Sequence, residues 1–583
     1  MPVQPRRLWL SVLGTWAGIS LLLLIVCWSH VARLTMWDPD DYMRLAEVRD
    51  WIGGQSFFDV TQYRFDPPHG YAMHWSRIVD LPIAALTLLL GERIALTLVP
   101  LLTLGGIMAG IALATARLAD RRTALFATLV AATTPLILFY TLPLRIDHHG
   151  WQVMMAALTL ACCFDSNARR GGIGAGFCAA TWLAVSMEGL PLVTAIAAMH
   201  GLRFAIEGRA FGSDRRCSAF LIALGLGALG WLVALRGPHA WSASYGDMLS
   251  PAWLGPLSLA PFTGALAMPL VTDRGVAMRF LLLLAVAAIG VAALLTIDPL
   301  VLSGPFKALD PLVRSYWYDN VSEGLPIWKQ PGDTIMMLAA FPIVALAGTV
   351  QAWRREADET RRRNWLAMLF LALAAFAVSL FVQRAGAVSH LYMLPGAAAL
   401  LASMLARIGQ WHRPVPRVLA TVGAILLCSP LMTASAGMAV LAITRPAQPP
   451  APVASKELCD APCDSFGALN RLPPSYILAS LDVGPRMLIN TQHRFLGSGY
   501  HRNVAAIHGV IAAFTEPPET AHALMTSQGM THLLIDPTGN EATIYSQHAP
   551  RGLMAQLLAG KAPTWLEPVP LPRSPYRLWR RIG

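Results

Sequence analysis

Apolar runs of about 20 residues, separated by short charged segments, recur along the chain and restrict its fold more than any other feature. About 20 apolar residues in a helix cross the hydrocarbon core of a bilayer. Inside that core every backbone polar group must be satisfied by the protein itself, which leaves helices or closed barrels. The runs are 8–29, 93–116, 123–141, 149–164, 173–189, 190–206, 217–235, 254–272, 280–298, 335–352, 365–382, 391–406 and 418–443. Composition agrees: of 583 residues 55% are hydrophobic and 14% charged, whereas a water-soluble chain carries about 25% charge. A polytopic helical membrane protein is expected. The run 81–90, LPIAALTLLL, is too short to span and reads as an interfacial helix.

The formal net charge of +11 does not point to nucleic acid. The arginines fall in short clusters between the runs, which is the bias that orients membrane insertion. With the N-terminus inside, the inner loops carry 21 Lys and Arg in 67 residues and the outer segments 11 in 126. MPVQPRR followed by Leu8–Trp28 has no small-x-small cleavage site, so it reads as an uncleaved first span. The C-terminal region then lies outside. Compact arginine-rich inner loops and the lack of eukaryotic targeting tails suggest a bacterial inner membrane, with a cytoplasmic N-terminus and a periplasmic C-terminal domain.

Three regions are expected: a membrane domain over 1–443 with large outer loops at 30–80 and 299–334, a proline-rich linker over 444–455, and an outer domain over 456–583. In the last, strand-like runs at Tyr476–Leu481, Met487–Ile489 and Thr531–Ile535 alternate with helical ones such as Thr520–Ser527, which predicts a small α/β domain. Cys459 and Cys463, in CDAPC, form a disulfide or remain free thiols in a loop. The six other cysteines lie in or beside apolar runs and read as packing residues.

Several stretches on the outer side carry chemistry. MWDPDDYMRLAEVRDWIGG, Met36–Gly54, starts with Asp38 as helix cap and Pro39 at the first helical position. Its periodicity predicts an amphipathic helix on the membrane surface. Asp38, Asp40 and Asp41 in its first turn are metal candidates, or simply cap the helix. LRIDHHGW places Asp147, His148 and His149 at the mouth of a span. Adjacent helical residues point about 100° apart, so Asp147 and His149 share an ion only at a helix start or an irregular turn. Glu323 lies among aromatics in WYDNVSEGLPIW, as a ligand or a solvated loop residue. Arg384 sits at the outer end of a span, suited to phosphate through its planar fork or snorkelling to the interface. Glu188, in SMEGLP, is a weaker candidate that reads better as a cap or an ion-pair partner. Carboxylates with one imidazole suit Mg²⁺ or Mn²⁺, and the imidazole favours Mn²⁺.

At these residues the chain resembles the GT-C glycosyltransferases, most of all the catalytic subunit of oligosaccharyltransferases. DPDDYMR is similar to that family's first-loop Asp motif, with Asp40 as the counterpart. Asp147-His148-His149 is similar to its second acidic motif, with histidine in place of the second acid. Val321-Ser322-Glu323 is similar to its outer-loop motif, and Arg384 to its diphosphate-binding arginine. The family's Trp-Trp-Asp-Tyr-Gly motif, which holds the hydroxyl residue of an asparagine sequon, has as its nearest match Ser480-Leu481-Asp482-Val483-Gly484, without the aromatics. His493–Asn503 is a second stretch for an acceptor surface, or a folded loop.

The resemblance implies a metal-dependent transferase. Asp40, Asp147, His149 and Glu323 would surround the ion, and Asp40, Asp147 and Glu323 would be catalytic. Arg384, Tyr42 and His148 would bind substrate. The donor would be a sugar or oligosaccharide on a polyprenyl phosphate or diphosphate, and the acceptor a glycan, a lipid or a protein. A transporter of lipid-linked glycan is the other class. It fits less well, because transport sites lie near the bilayer midplane, often between repeated halves. A hydrolase acting on the same donor is the third.

Overall fold

A computed structural model describes residues 5–299, 304, 306, 309–444 and 466–582. Each of the thirteen apolar runs falls on helix. Among the described residues, nine helices are long and apolar enough to cross a membrane, and a bent pair makes a tenth. The protein is therefore a multi-pass membrane protein. Two runs expected as single spans are broken. The run 123–141 divides into Arg121–Ala131 and Pro135–Phe139, because Pro135 lacks the N–H that a continuous helix needs. The run 418–443 divides into Pro414–Cys428 and Pro430–Ile443, bent by 88° at the Ser429-Pro430 junction. The short run 81–90 lies in the helix Arg77–Leu90, which exposes Leu81, Leu88, Leu89 and Leu90 along one side and at its end.

The chain forms two compact units that interleave in sequence. The first comprises Met1–Thr35, Trp75–Gly304 and Ser322–Pro446, and the second Met36–His74, Pro305–Val321 and Ala447–Gly583. These boundaries differ from the single division at residue 443. Both large outer loops contribute segments to the unit that contains the C-terminal domain.

In the first unit, helices approach closely where side chains are smallest. A Cβ on Gly348 or Gly396 would overlap backbone of the facing helix, Gly332–Arg355 against Gly386–Ile408. Small residues at such crossings let backbones pack without a hydrophobic drive from water. At the far end of the helix His148–Cys163, Asp165 accepts from Arg117 at 2.6 Å and Arg170 at 2.8 Å, while Arg216 donates to the Cys163 carbonyl at 2.9 Å.

In the second unit, a hairpin of β1 (Thr61–Gln62) and β2 (Tyr71–Ala72) accompanies a five-stranded sheet. Its strands are β3 (Tyr476–Ala479), β4 (Arg494–Phe495), β5 (His532–Ile535), β6 (Leu566–Val569) and β7 (Arg577–Arg581), in the order β4-β3-β5-β7-β6. β3 runs parallel to β4 and β5, and β7 antiparallel to β5 and β6. Every residue of β3 and β5 is buried, as expected for strands covered on both faces. The strands expected near Tyr476 and Thr531 are present. Met487–Ile489 is instead part of the helix Val483–Asn490, whose preceding Asp482 already has helical backbone angles. The linker beyond Thr444 and the CDAPC cysteines lie outside the described residues.

The first-loop helix is Pro39–Ile52, with Asp38 accepting from the Asp40 N–H at 3.0 Å and Gly53 at its end. Every residue from Asp41 to Val48 is buried, so it is not a helix with one face left to the membrane surface. The segment after it is pinned to the C-terminal domain. Arg49 donates to the Ile489 carbonyl, Arg64 to that of Thr491, and Phe495 N–H to the Arg64 carbonyl at 2.9 Å. Leu309 and Val313 join the core formed by Leu478, Val510, Phe514 and Leu533.

Candidate functional site

Three helices of the first unit, His148–Cys163, Leu190–Glu207 and Gly386–Ile408, start at one end, and a candidate residue stands at or just ahead of each start. The turn-rich segment leading into Gly332–Arg355 brings Glu323 there as well. Helix N-termini carry partial positive charge, so their convergence favours anions.

Asp147 caps its helix through Oδ1, which accepts the His148 N–H at 2.5 Å. Leu144, buried and with φ of 70°, turns the chain ahead of it through the left-handed region, a strained backbone at a leucine. Gly150 keeps the first turn against Tyr140, since a Cβ there would meet the Tyr140 carbonyl oxygen at 2.5 Å. The Tyr140 ring lies 4.9 Å from that of His149, and the Arg145 guanidinium stacks over Phe139 at 5.0 Å.

Around this turn, His148 Nδ1 lies 2.5 Å from Asp147 Oδ1, and His149 Nδ1 lies 2.9 Å from Asp147 Oδ2. The helix start thus lets both imidazoles face the carboxylate. Each histidine then faces a glutamate with its other nitrogen: His148 Nε2 is 3.8 Å from Glu188 Oε2, and His149 Nε2 is 4.0 Å from Glu323 Oε2. Arg384 closes the group. Its Nη1 pairs with Glu188 Oε1, and its Nη2 is 3.2 Å from Glu323 Oε1. Each glutamate therefore stands between an imidazole and the guanidinium. Asp147, His148 and His149 are buried, whereas the Glu188 and Glu323 side chains are 35% and 36% exposed, so the cluster opens on the glutamate side.

The donor set fits a divalent cation. Ligand atoms of Asp147, His148 and His149 lie within 4.8 Å of one another. His148 Nδ1 and both ring nitrogens of His149 are buried without a hydrogen-bond partner, despite the nearby carboxylate oxygens. A buried imidazole nitrogen without a hydrogen-bond partner is available as a ligand, one nitrogen from each ring.

Asp147, His148, His149, Glu323 and Arg384 are thus brought together. Glu188, given only a lesser place from sequence, belongs with them. Gln152 adds support that sequence reading missed: it donates to Glu188 Oε2 at 2.8 Å and accepts from Trp182 Nε1 at 3.2 Å. One signal was present, since Gln152 follows His148 by four residues and so shares its helix face.

Asp40 and Tyr42 belong to the second unit. Asp40 is half-buried, and its charge, after burial itself, raises the Tyr500 phenol. Tyr42 is buried, and its hydroxyl accepts the Met36 N–H at 3.0 Å, which fastens the chain ahead of the helix. The Ser480–Gly484 stretch joins the end of β3 to the next helix. There Glu541 accepts the N–H groups of Leu481 at 2.9 Å and Asp482 at 2.8 Å, and the Tyr545 hydroxyl at 2.8 Å. Burial, then the charges of Glu541 and Asp38, push the Asp482 carboxyl up. Burial also raises Glu541, and its three donors oppose that shift. His493, at the start of the polar tract, is buried between the Ser475 N–H and the Leu469 carbonyl, which makes that end a folded loop.

No family model and no curated protein matches the sequence. Solved structures do match, and they show that the chain has a GT-C fold of the oligosaccharyltransferase kind. The archaeal oligosaccharyltransferase AglB from Archaeoglobus fulgidus, in the apo form, is similar over 96% of this chain and 73% of its own, with a TM-score of 0.66 and 16% identity. The same enzyme with an inhibitory peptide and a dolichol-phosphate gives 0.64 over 96% and 72%, at 16% identity. With Zn and sulfate it gives 0.62 over 94% and 70%, also at 16%.

Proposed function

We propose that the protein is an integral-membrane glycosyltransferase that moves a sugar or oligosaccharide from a polyprenyl phosphate or diphosphate to an acceptor on the periplasmic side of a bacterial inner membrane. The observation that carries this reading is the group of Asp147, two histidines, two glutamates and Arg384 at one end of the membrane helices of a GT-C fold. AglB structures holding dolichol-phosphate, or Zn and sulfate, support a lipid-phosphate ligand and a metal in such a fold.

Asp147, His149 and Glu323 would hold Mn²⁺ or Mg²⁺, and the resemblance of DPDDYMR adds Asp40 as a further ligand. A bound ion would supply Lewis acidity that neutralises charge on a phosphate leaving group. Arg384 binds phosphate oxygens through its fork and stabilises the charge that grows on them as the glycosyl bond breaks. Asp40 orients the acceptor nucleophile or takes its proton. Tyr42, already bonded to the Met36 N–H, sets the turn that carries Asp40. His148 lies along the donor phosphate. The lipid tail lies among apolar helices, which holds the anomeric carbon in place. With Ser480-Leu481-Asp482-Val483-Gly484 in place of the aromatic motif, the acceptor is not an asparagine sequon held in the usual way.

The test is turnover of a polyprenyl-phosphate-linked sugar by the purified protein. Asp147→Asn, Arg384→Ala and EDTA should each abolish it. Full activity in all three would overturn the reading, and release of sugar to water whatever acceptor is supplied would identify a hydrolase.

A further inference from the structure

Resting on that function, we propose that Glu188 is a switching carboxylate. It alternates between the fork of Arg384 and the cation beside His148, so that cation binding releases Arg384 to the phosphate of a lipid.

Glu188 is built to do this. Oε1 pairs with Arg384 Nη1, while Oε2 accepts Gln152 Nε2 at 2.8 Å and lies 3.8 Å from His148 Nε2. Two ligands of one ion are about 3–4 Å apart, so that last distance is already a ligand spacing. Gln152 is held in turn by Trp182 at 3.2 Å and keeps the carboxylate on the histidine side. Glu188 is the middle residue of the 3-10 turn Met187–Gly189 ahead of Leu190, so a change of partner would need only rotation of its own side chain. A carboxylate and a phosphate compete for the same planar fork, so a headgroup reaches Arg384 only as Glu188 leaves it.

Charge sets the order of events. Asp147, Glu188 and Glu323 face Arg384 and Arg145. In the absence of a cation both glutamates occupy the guanidinium fork that a phosphate would use. A divalent cation draws a carboxylate away from the fork and adds positive charge beside it, and Coulomb energies in a partly buried site make that charge count. Glu188 thus couples the cation to the lipid phosphate, a role distinct from that of Glu323.

The experiment uses the full-length protein in detergent. Farnesyl phosphate binding is measured with Mn²⁺ and with EDTA, inorganic phosphate serves as a second ligand, and Mn²⁺ binding is followed by electron paramagnetic resonance. Mn²⁺ should strengthen farnesyl phosphate binding by the wild type about tenfold or more. Glu188→Gln should bind farnesyl phosphate in EDTA about tenfold more tightly than the wild type, with weaker Mn²⁺ affinity. Glu188→Asp, which keeps the charge but shortens the reach, should free Arg384 in the same direction and serves if the glutamine variant does not fold. Unchanged EDTA-state and Mn²⁺ affinities in the folded variant would overturn the switch. Asp147→Asn separates the two readings: if it also leaves Mn²⁺ affinity unchanged, the cation site itself fails, whereas an effect there and none at Glu188 removes the switch alone. Inorganic phosphate binding as tightly as farnesyl phosphate would overturn the lipid assignment.

Discussion

At the scale of the residue, the site depends on two imidazoles that turn toward one carboxylate. His149→Ala removes a buried ring whose Nε2 has no hydrogen-bond partner, so the fold should tolerate it while Mn²⁺ affinity falls about 100-fold, read by electron paramagnetic resonance. Arg384→Lys keeps a positive charge but loses the fork that Glu188 and Glu323 now share. Its kcat/KM for a lipid-linked donor should drop about tenfold or more, with the unfolding temperature nearly unchanged. Asp147, His148 and His149 were legible because they are adjacent in sequence. Glu188 was nearly lost because a single acid between two apolar runs looks like a cap. Its place beside Arg384, 196 residues away, is a property of packing alone.

Elements carry the site by where their backbones touch. Gly150→Val would drive a branched side chain into the Tyr140 carbonyl and should cost about 2 kcal/mol of stability, seen as a lower unfolding temperature together with weaker Mn²⁺ binding. In the sheet-bearing unit, the turn after β3 holds Asp482 against Glu541. A carboxyl raised in the folded state keeps a proton that the unfolded chain has released. Its stabilising effect is therefore complete below about pH 4 and is lost as pH rises through the folded value. Thermal unfolding of the C-terminal domain should accordingly occur at lower temperature as the solution is made less acidic, and Asp482→Asn should flatten that slope. Helix positions were readable from apolar length and two strands from short apolar runs. Met487–Ile489 misled because its apolar triplet fits a helix face as well as a strand.

At the scale of the molecule, each compact unit is assembled from segments far apart in the chain. Phe65 in the first outer loop is fully buried, 5.8 Å from the Tyr71 ring and 6.2 Å from that of Phe495. Phe65→Ala should destabilise the second unit by about 3–5 kcal/mol and speed hydrogen exchange across residues 476–515, more than 400 positions downstream. Sequence alone determined that the chain is a polytopic helical membrane protein with an α/β C-terminal region, because apolar run length and strand composition are local properties. It also picked out Asp147, His148, His149, Glu323 and Arg384, which the structure brings together, because each motif is a short stretch whose chemistry can be read in place. Only the tertiary structure decided that the outer loops pack with the C-terminal domain, that the first-loop helix is buried through its middle, and that Glu188 stands between His148 and Arg384. Those outcomes depend on which distant surfaces exclude water together, and no local pattern encodes that choice.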